Sequence, residues 1–451
     1  MRIISKDFRI IPNWINAILL VIMIIPYTLF AQRSEVDSLV DVIHTLPQDT
    51  SKVNFINQNC LKIMDDDYDL AYQLSTEAMH LAEKINYEYG LALSLENMGI
   101  YKWDNGYYDH AIDLFKKAIG NGGKFNDQRL MAESFNRIGL VFYYQAVYDS
   151  AHYYHLKSLT HFRNMDDSLG VARIWYHIGL LYYHQSKYEK AVDYYLKALD
   201  LYEQEGAPLS QASLLNKLGQ VYQALGQTEL IWEKQKELIN LANREADQTN
   251  RAQFYEQIGD IYFLTNSYDS ALTYFGKALR RFEEIGHINY YDFVNEKIAK
   301  IYRSKGEYET ALEYMLRVYE IRNEKGTRIH KATVESSLAE IYHAMKNWDL
   351  AIEHYSRALS MHIEMGNAIS LAKISAALAE TYCSSGQYDK AIDHALNGIE
   401  KSRGIFAQNT EIDNLRVLSN AYLKKGSLEM AYAYLSEYHD KKEALTKGKT
   451  L

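Results

Sequence analysis

The chain has 451 residues, 47% of them hydrophobic and 24% charged, with a formal net charge of −9. That balance excludes a disordered chain, and the negative charge supplies none of the basic footprint of a nucleic-acid binder. Only 4 prolines and 23 glycines occur, too few for the turns of an all-β fold, so the composition predicts helices joined by short loops.

At the N-terminus Arg2, Lys6 and Arg9 precede an apolar run from Ile15 to Phe30, which closes on Leu29-Phe30-Ala31-Gln32. This order predicts a secretory signal peptide over residues 1–31, cleaved after Ala31. The run is short for a spanning helix of ~20 residues, and Pro26 interrupts it. Left uncleaved, with bulky Leu29 where the cleavage motif takes a small residue, the same segment is a signal anchor. Both outcomes predict an exported chain, either periplasmic or anchored to the inner membrane and facing the periplasm. Residues 32–50 read as a lead-in.

From residue 51 to 440 the chain repeats. Alanine stands at Ala71, Ala111, Ala151, Ala191, Ala271, Ala311, Ala351, Ala391 and Ala431, in steps of 40 with Ile231 in the one gap. Three residues earlier comes an aromatic, from Tyr68 and Tyr108 through Trp348 to Tyr388. Twelve residues before the alanine column is a small residue: Gly99, Gly139, Gly179, Gly219, Gly259, Ala299, Ala339 and Ala379. Three columns in phase predict a repeat of two amphipathic helices per unit. The small residues let the paired helices approach, the tyrosine plugs the gap beside them, and stacking of units completes the core. The reading is a partial first unit plus about nine repeats. The fourth is the most divergent, because Thr228, Ile231 and Gln235 stand where an aromatic, Ala and an aromatic are expected; a bend is expected there. Residues 441–451 form a helical tail.

The third unit reads Trp175, Ile178, Gly179, Tyr182, Tyr188, Ala191, Tyr195, Ala198, and the fifth Ile258, Gly259, Tyr262, Tyr268, Ala271, Phe275, Ala278. This pattern resembles the tetratricopeptide repeat, although the period of 40 exceeds the family's usual ~34. It is closer to the long-helix forms of bacterial sensory proteins and some eukaryotic peptide-binding scaffolds. The resemblance implies an all-α, right-handed superhelical solenoid of antiparallel helix pairs. It implies a non-catalytic role in binding a protein or peptide, with the first helix of each pair lining the concave face. On that basis the groove positions of units one to three are Glu96, Ile100, Trp103, Asn136, Leu140, Tyr143, Tyr144, Tyr176, Leu180, Tyr183 and His184, with Arg137, Arg173 and His177 nearby. The proposed peptide groove is accordingly Trp103, Asn136, Arg137, Tyr143, Tyr144, Arg173, Tyr176, His177, Tyr183 and His184. Inner-helix aromatics also pack between units, so each has a core role as its alternative. Later units offer a charged lining, including Glu256, Asp260, Glu296, Lys300, Arg303, Glu340 and His343. The carboxylate clamp of chaperone-binding members takes a Lys and Asn pair where Glu96 and Ile100 stand, so that specificity is not expected.

No phosphate-binding glycine loop, zinc-protease helix or nucleophile elbow occurs. His152 and His155 share a helix face, with His161 following, yet nothing in the sequence completes a ligand set. They read as partly exposed helix histidines, and neither metal, cofactor nor enzymatic activity is expected. Cys60 and Cys383 lie eight repeats apart and read as small buried hydrophobes, not a disulfide. Exported arrays of this kind resemble the sensory halves of signalling proteins. A second reading is therefore a sensory module for a histidine kinase or helix-turn-helix regulator encoded elsewhere.

Overall fold

The computed structural model describes residues 36–285, 290–405 and 408–447. The expected signal segment and its cleavage point at Ala31 lie outside the described residues. Among the described residues no helix is long and apolar enough to cross a membrane.

The expected lead-in contains a helix, α1 (36–45), whose Val36 and Ile43 are buried against Val53 and Ile56 of the first pair. That pair is α2 (Thr50–Asp66) and α3 (Tyr68–Lys84). Unit 1 is α4 (Glu88–Asp104) with α5 (Tyr108–Lys124), unit 2 is α6 (Gln128–Tyr144) with α7 (Tyr148–Asn164), and unit 3 is α8 (Ser168–His184) with α9 (Tyr188–Gln204). Unit 4 is α10 (Pro208–Leu225) with α11 (Thr228–Arg244), unit 5 is α12 (Gln248–Leu264) with α13 (Tyr268–Glu284), and unit 6 is α14 (Tyr291–Lys305) with α15 (Tyr308–Lys325). Unit 7 is α16 (Arg328–Ala344) with α17 (Trp348–Met365), unit 8 is α18 (Ala368–Ser384) with α19 (Tyr388–Gly404), and unit 9 is α20 (Gln408–Lys425) with α21 (Leu428–Lys447). Helix α21 runs unbroken through the expected boundary of the C-terminal tail.

A regular unit is two 17-residue helices with three-residue turns, which is the origin of the 40-residue period. The middle residue of the turn inside units 1 to 9 is left-handed: Gly106, Ala146, Ser186, Gly226, Asn266, Gly306, Lys346, Gly386 and Gly426. The following N–H then reaches back to close the helix end, as Tyr107 does to the Lys102 carbonyl at 2.7 Å. The small-residue column is explained by what it faces. A Cβ at Gly99 would lie 2.6 Å from the Phe115 ring, and one at Gly259 would lie 2.6 Å from the Phe275 ring. Gly139 meets His155 and Gly179 meets Tyr195 in the same way. Each ring is fully buried, and for Phe115 and Phe275 that burial contributes roughly 1.5–3 kcal/mol per side chain.

Unit 4 breaks this lock. Gln235 replaces the ring, and the nearest atom to a Cβ at Gly219 is 3.5 Å away on Leu264. The irregularity sits at the unit's exit. Asn86, Asn126, Asp166 and Gly206 turn the corresponding earlier junctions with positive φ, whereas Glu245 is extended at φ −75°, ψ 125°. A second extended junction occurs at Gly326, φ −76°, ψ 149°, which the column pattern does not mark.

The solenoid comes round far enough to touch itself. The Arg328 N–H donates to Asn105 Oδ1 at 3.4 Å, and Asn409 Nδ2 donates to the Tyr188 hydroxyl at 3.0 Å. Met365 lies over Gly106, where an added Cβ would fall 2.2 Å from its Cγ. A small core of Tyr143, Ala146, Tyr148, Ala151 and Leu181 takes in Ala372 and Ile405 across the same seam. Units 1 to 3 thus pack against units 7 to 9.

Candidate functional site

Helices α4, α6 and α8 carry the candidate residues, and seven of the ten take part in two chains of ring contacts. Trp103 lies 6.2 Å from Tyr144, Tyr144 5.0 Å from Tyr143, and Tyr143 5.3 Å from His184. His184 meets Tyr183 at 5.3 Å, and Tyr183 meets Tyr188 at 5.8 Å. A separate chain runs from Tyr195 to Tyr176 at 5.9 Å, to His177 at 5.2 Å and on to His155 at 5.4 Å. Edge-to-face and offset geometries dominate, each contributing about 0.5–1.5 kcal/mol beyond burial. Successive units carry the first chain of rings along the superhelix.

The structure corrects the simple picture of an open groove. Tyr143 is 7% exposed and Asn136 4% exposed. Tyr143 is covered by the later turn at the seam, and Ile100, another expected groove position, is also buried. Trp103, Tyr144, Tyr176, His177, Tyr183 and His184 are half-buried. Burial pushes the Tyr143 hydroxyl well above its usual ionisation range and Tyr176 up to about 12. His177 is pushed down to about 3 by burial and the Arg173 charge, and His184 to about 3 by burial and the charges of Lys373 and Lys217. Both imidazoles are therefore neutral near pH 7, each with one donor and one acceptor.

The two candidate arginines are ion-paired along the array. Arg137 reaches Glu96 at 3.4 Å and Arg173 pairs with Glu133, each bridging to the preceding unit. Asp104 was not among the candidates. Burial raises its carboxyl to about 6 against the opposing pull of Arg137. Several polar atoms of this region have no hydrogen-bond partner among the described residues: Trp103 Nε1, Asn136 Oδ1, Arg173 Nε, His177 Nδ1 and Tyr195 Oη. A buried polar atom without a partner costs about 1–3 kcal/mol.

His155 is fully buried against Gly139 and stacked on His177, which corrects its reading as a partly exposed residue. His161 instead bonds Gln128 at 2.7 Å. Among the described residues no group of three or more His, Cys, Asp or Glu side chains could hold a metal ion. Cys60 is buried beside Ser75 at 3.1 Å, while Cys383 is only half-buried, and both thiols are free. The charged lining expected of later units is present as a ladder. Lys297 bridges Glu256 at 2.5 Å and Asp260 at 2.6 Å, Lys300 reaches Glu296 at 2.5 Å, and Arg303 pairs with Glu340.

No curated protein matches the chain in sequence. Among solved structures, a Rap protein in complex with competence and sporulation factor superposes with a TM-score of 0.52 at 15% identity, over 89% of this chain and all of that one. A signal transduction ATPase with numerous domains, bearing a tetratricopeptide repeat sensor, from Pyrococcus horikoshii, has a TM-score of 0.46 at 16% identity, over 79% of this chain and 53% of that one. The tetratricopeptide repeat family matches residues 130–204, 210–284, 293–364 and 330–400, more than half of the sequence and in register with the columns and helix pairs described above, so the chain belongs to the tetratricopeptide repeat family.

Proposed function

We propose that the chain is a non-catalytic scaffold of the bacterial cell envelope that holds a protein or peptide against the inner face of units 1 to 3. The observation behind this reading is the chain of rings from Trp103 to Tyr188. Tyr, Trp and Arg dominate the energetics of protein interfaces because they bury large area with few rotors and keep a polar end. The envelope location rests on the basic, then apolar, order of residues 1–31.

The likeness to a Rap protein solved with a bound factor motivates a second reading. In it the array is the sensory input of a signalling system whose histidine kinase or helix-turn-helix output is a separate chain. Both readings use the same surface.

The test is a pull-down from the envelope fraction with Trp103, Tyr144 and Tyr183 changed together to alanine. Tyr143 is spared because it helps to close the seam. A control variant carries alanine at Tyr153 and Trp232, which lie exposed on second helices. The inner-face variant is expected to lose partners that the control retains, with helical circular dichroism unchanged in both. Retention of every partner by the folded inner-face variant would exclude the site.

A further inference from the structure

We infer that the outer face of α21 is a self-association surface, on which a second copy of the chain seats its own α21, antiparallel about a two-fold axis. The inference stands apart from the reading of units 1 to 3 and uses none of their residues.

Along the array the first helix of each unit covers the second helix of the unit before it, and three columns of the second helix make that contact. Tyr108 of α5 stacks on Tyr144 of α6 at 6.3 Å, Tyr72 of α3 on Tyr101 of α4 at 4.2 Å, and His155 of α7 on His177 of α8 at 5.4 Å. In α21 the same columns hold Leu428, Tyr432 and Leu435, and among the described residues no following helix covers them. The column of Leu435 is at most 5% exposed in units 1 to 8, from Phe115 and His155 to Tyr355 and Ala395. Leu435 itself is 41% exposed, Leu428 67% and Tyr432 74%. Steps of four and three place the three on one stripe of the helix. Unit 9 thus keeps the apolar residues of an internal repeat where a terminal repeat carries a polar outer face.

The stripe continues the interface that joins every pair of units, so its natural occupant is an amphipathic helix, and a second copy supplies one. The other end of the array is closed, because α1 buries Val36 and Ile43 against Val53 and Ile56. A head-to-tail contact would need that face, so the second copy meets the stripe with its own α21, and the contact is isologous. The charges on α21 set the direction. Glu429 lies in its first turn, and Lys441 and Lys442 lie four turns further on. A parallel pair would set like charges side by side. An antiparallel pair crossing at Leu435 brings Glu429 beside the lysines of the second copy and lays Leu428 on a lysine stem.

The test is sedimentation velocity on the purified full chain at micromolar concentration, beside a Leu428→Glu/Leu435→Glu variant whose folding is checked by far-UV circular dichroism. The unmodified chain is expected to sediment as a dimer and the variant as a monomer, with association weakened at least about tenfold per leucine. A second measurement needs no disruption of the face. Leu435→Cys in a Cys383→Ser background is expected to give a disulfide-linked dimer under copper–phenanthroline oxidation, because the two-fold axis passes beside that residue. Tyr153→Cys in the same background is expected to stay unlinked. A monomeric unmodified chain would overturn the inference. So would a dimer that the folded double-glutamate variant retains, or one in which the Leu435→Cys protein crosslinks no better than the Tyr153→Cys protein.

Discussion

At the scale of single residues, the small-residue column is a packing requirement set by the ring opposite. Substituting Gly259→Ala puts a Cβ 2.6 Å from buried Phe275, so the ring or the helix must move; a loss of about 1–3 kcal/mol is expected from overpacking. The same change at Gly219 meets nothing nearer than 3.5 Å and removes a helix-interior glycine, a gain of about 0.5–1 kcal/mol. Urea unfolding of the two variants checks the contrast, and equal effects would contradict the account of the lock. The columns themselves were legible in the sequence because a period of 40 keeps each residue against the same neighbours in the adjacent unit. The exposure of individual inner-face residues was not. Nothing local distinguishes Tyr143, covered at the seam, from Tyr144 beside it, which is half-buried.

At the scale of elements, unit 4 is where the array departs from its own rule. Gln235 is buried with its Nε2 unpartnered among the described residues, in the column that the Tyr195 and Phe275 rings fill in the neighbouring units. Replacing it by phenylalanine removes an unsatisfied amide and fills the space before Gly219. A stabilisation of about 1–2 kcal/mol is expected, measured by urea unfolding; a loss of stability would show that the space is not there. The sequence marked this unit through Thr228, Ile231 and Gln235, yet the backbone irregularity lies one turn later, at Glu245. Side-chain columns report helix crossings, whereas the junction between units depends on whether its middle residue turns left-handed. Gly326 shows the limit of composition: glycine is present, and the backbone takes an extended path instead.

At the scale of the whole molecule, the superhelix brings units 7 to 9 onto units 1 to 3, and contacts such as Asn409 to Tyr188 span 221 residues. No repeat pattern encodes such a contact, because the period specifies neighbouring units and the accumulated twist decides which distant units meet. The consequence for function is that the aromatic inner face is walled on one side by the later turn. The most direct test of the central claim places a photo-crosslinking benzoylphenylalanine in turn at Trp103, Tyr144 and Tyr183 on the inner face, and at Trp232 on the outer face, in the full chain in cells. Binding on the inner face predicts crosslinks to a shared partner from the three inner positions and none from position 232. Crosslinks from position 232 alone, or no partner common to the inner positions, would contradict it.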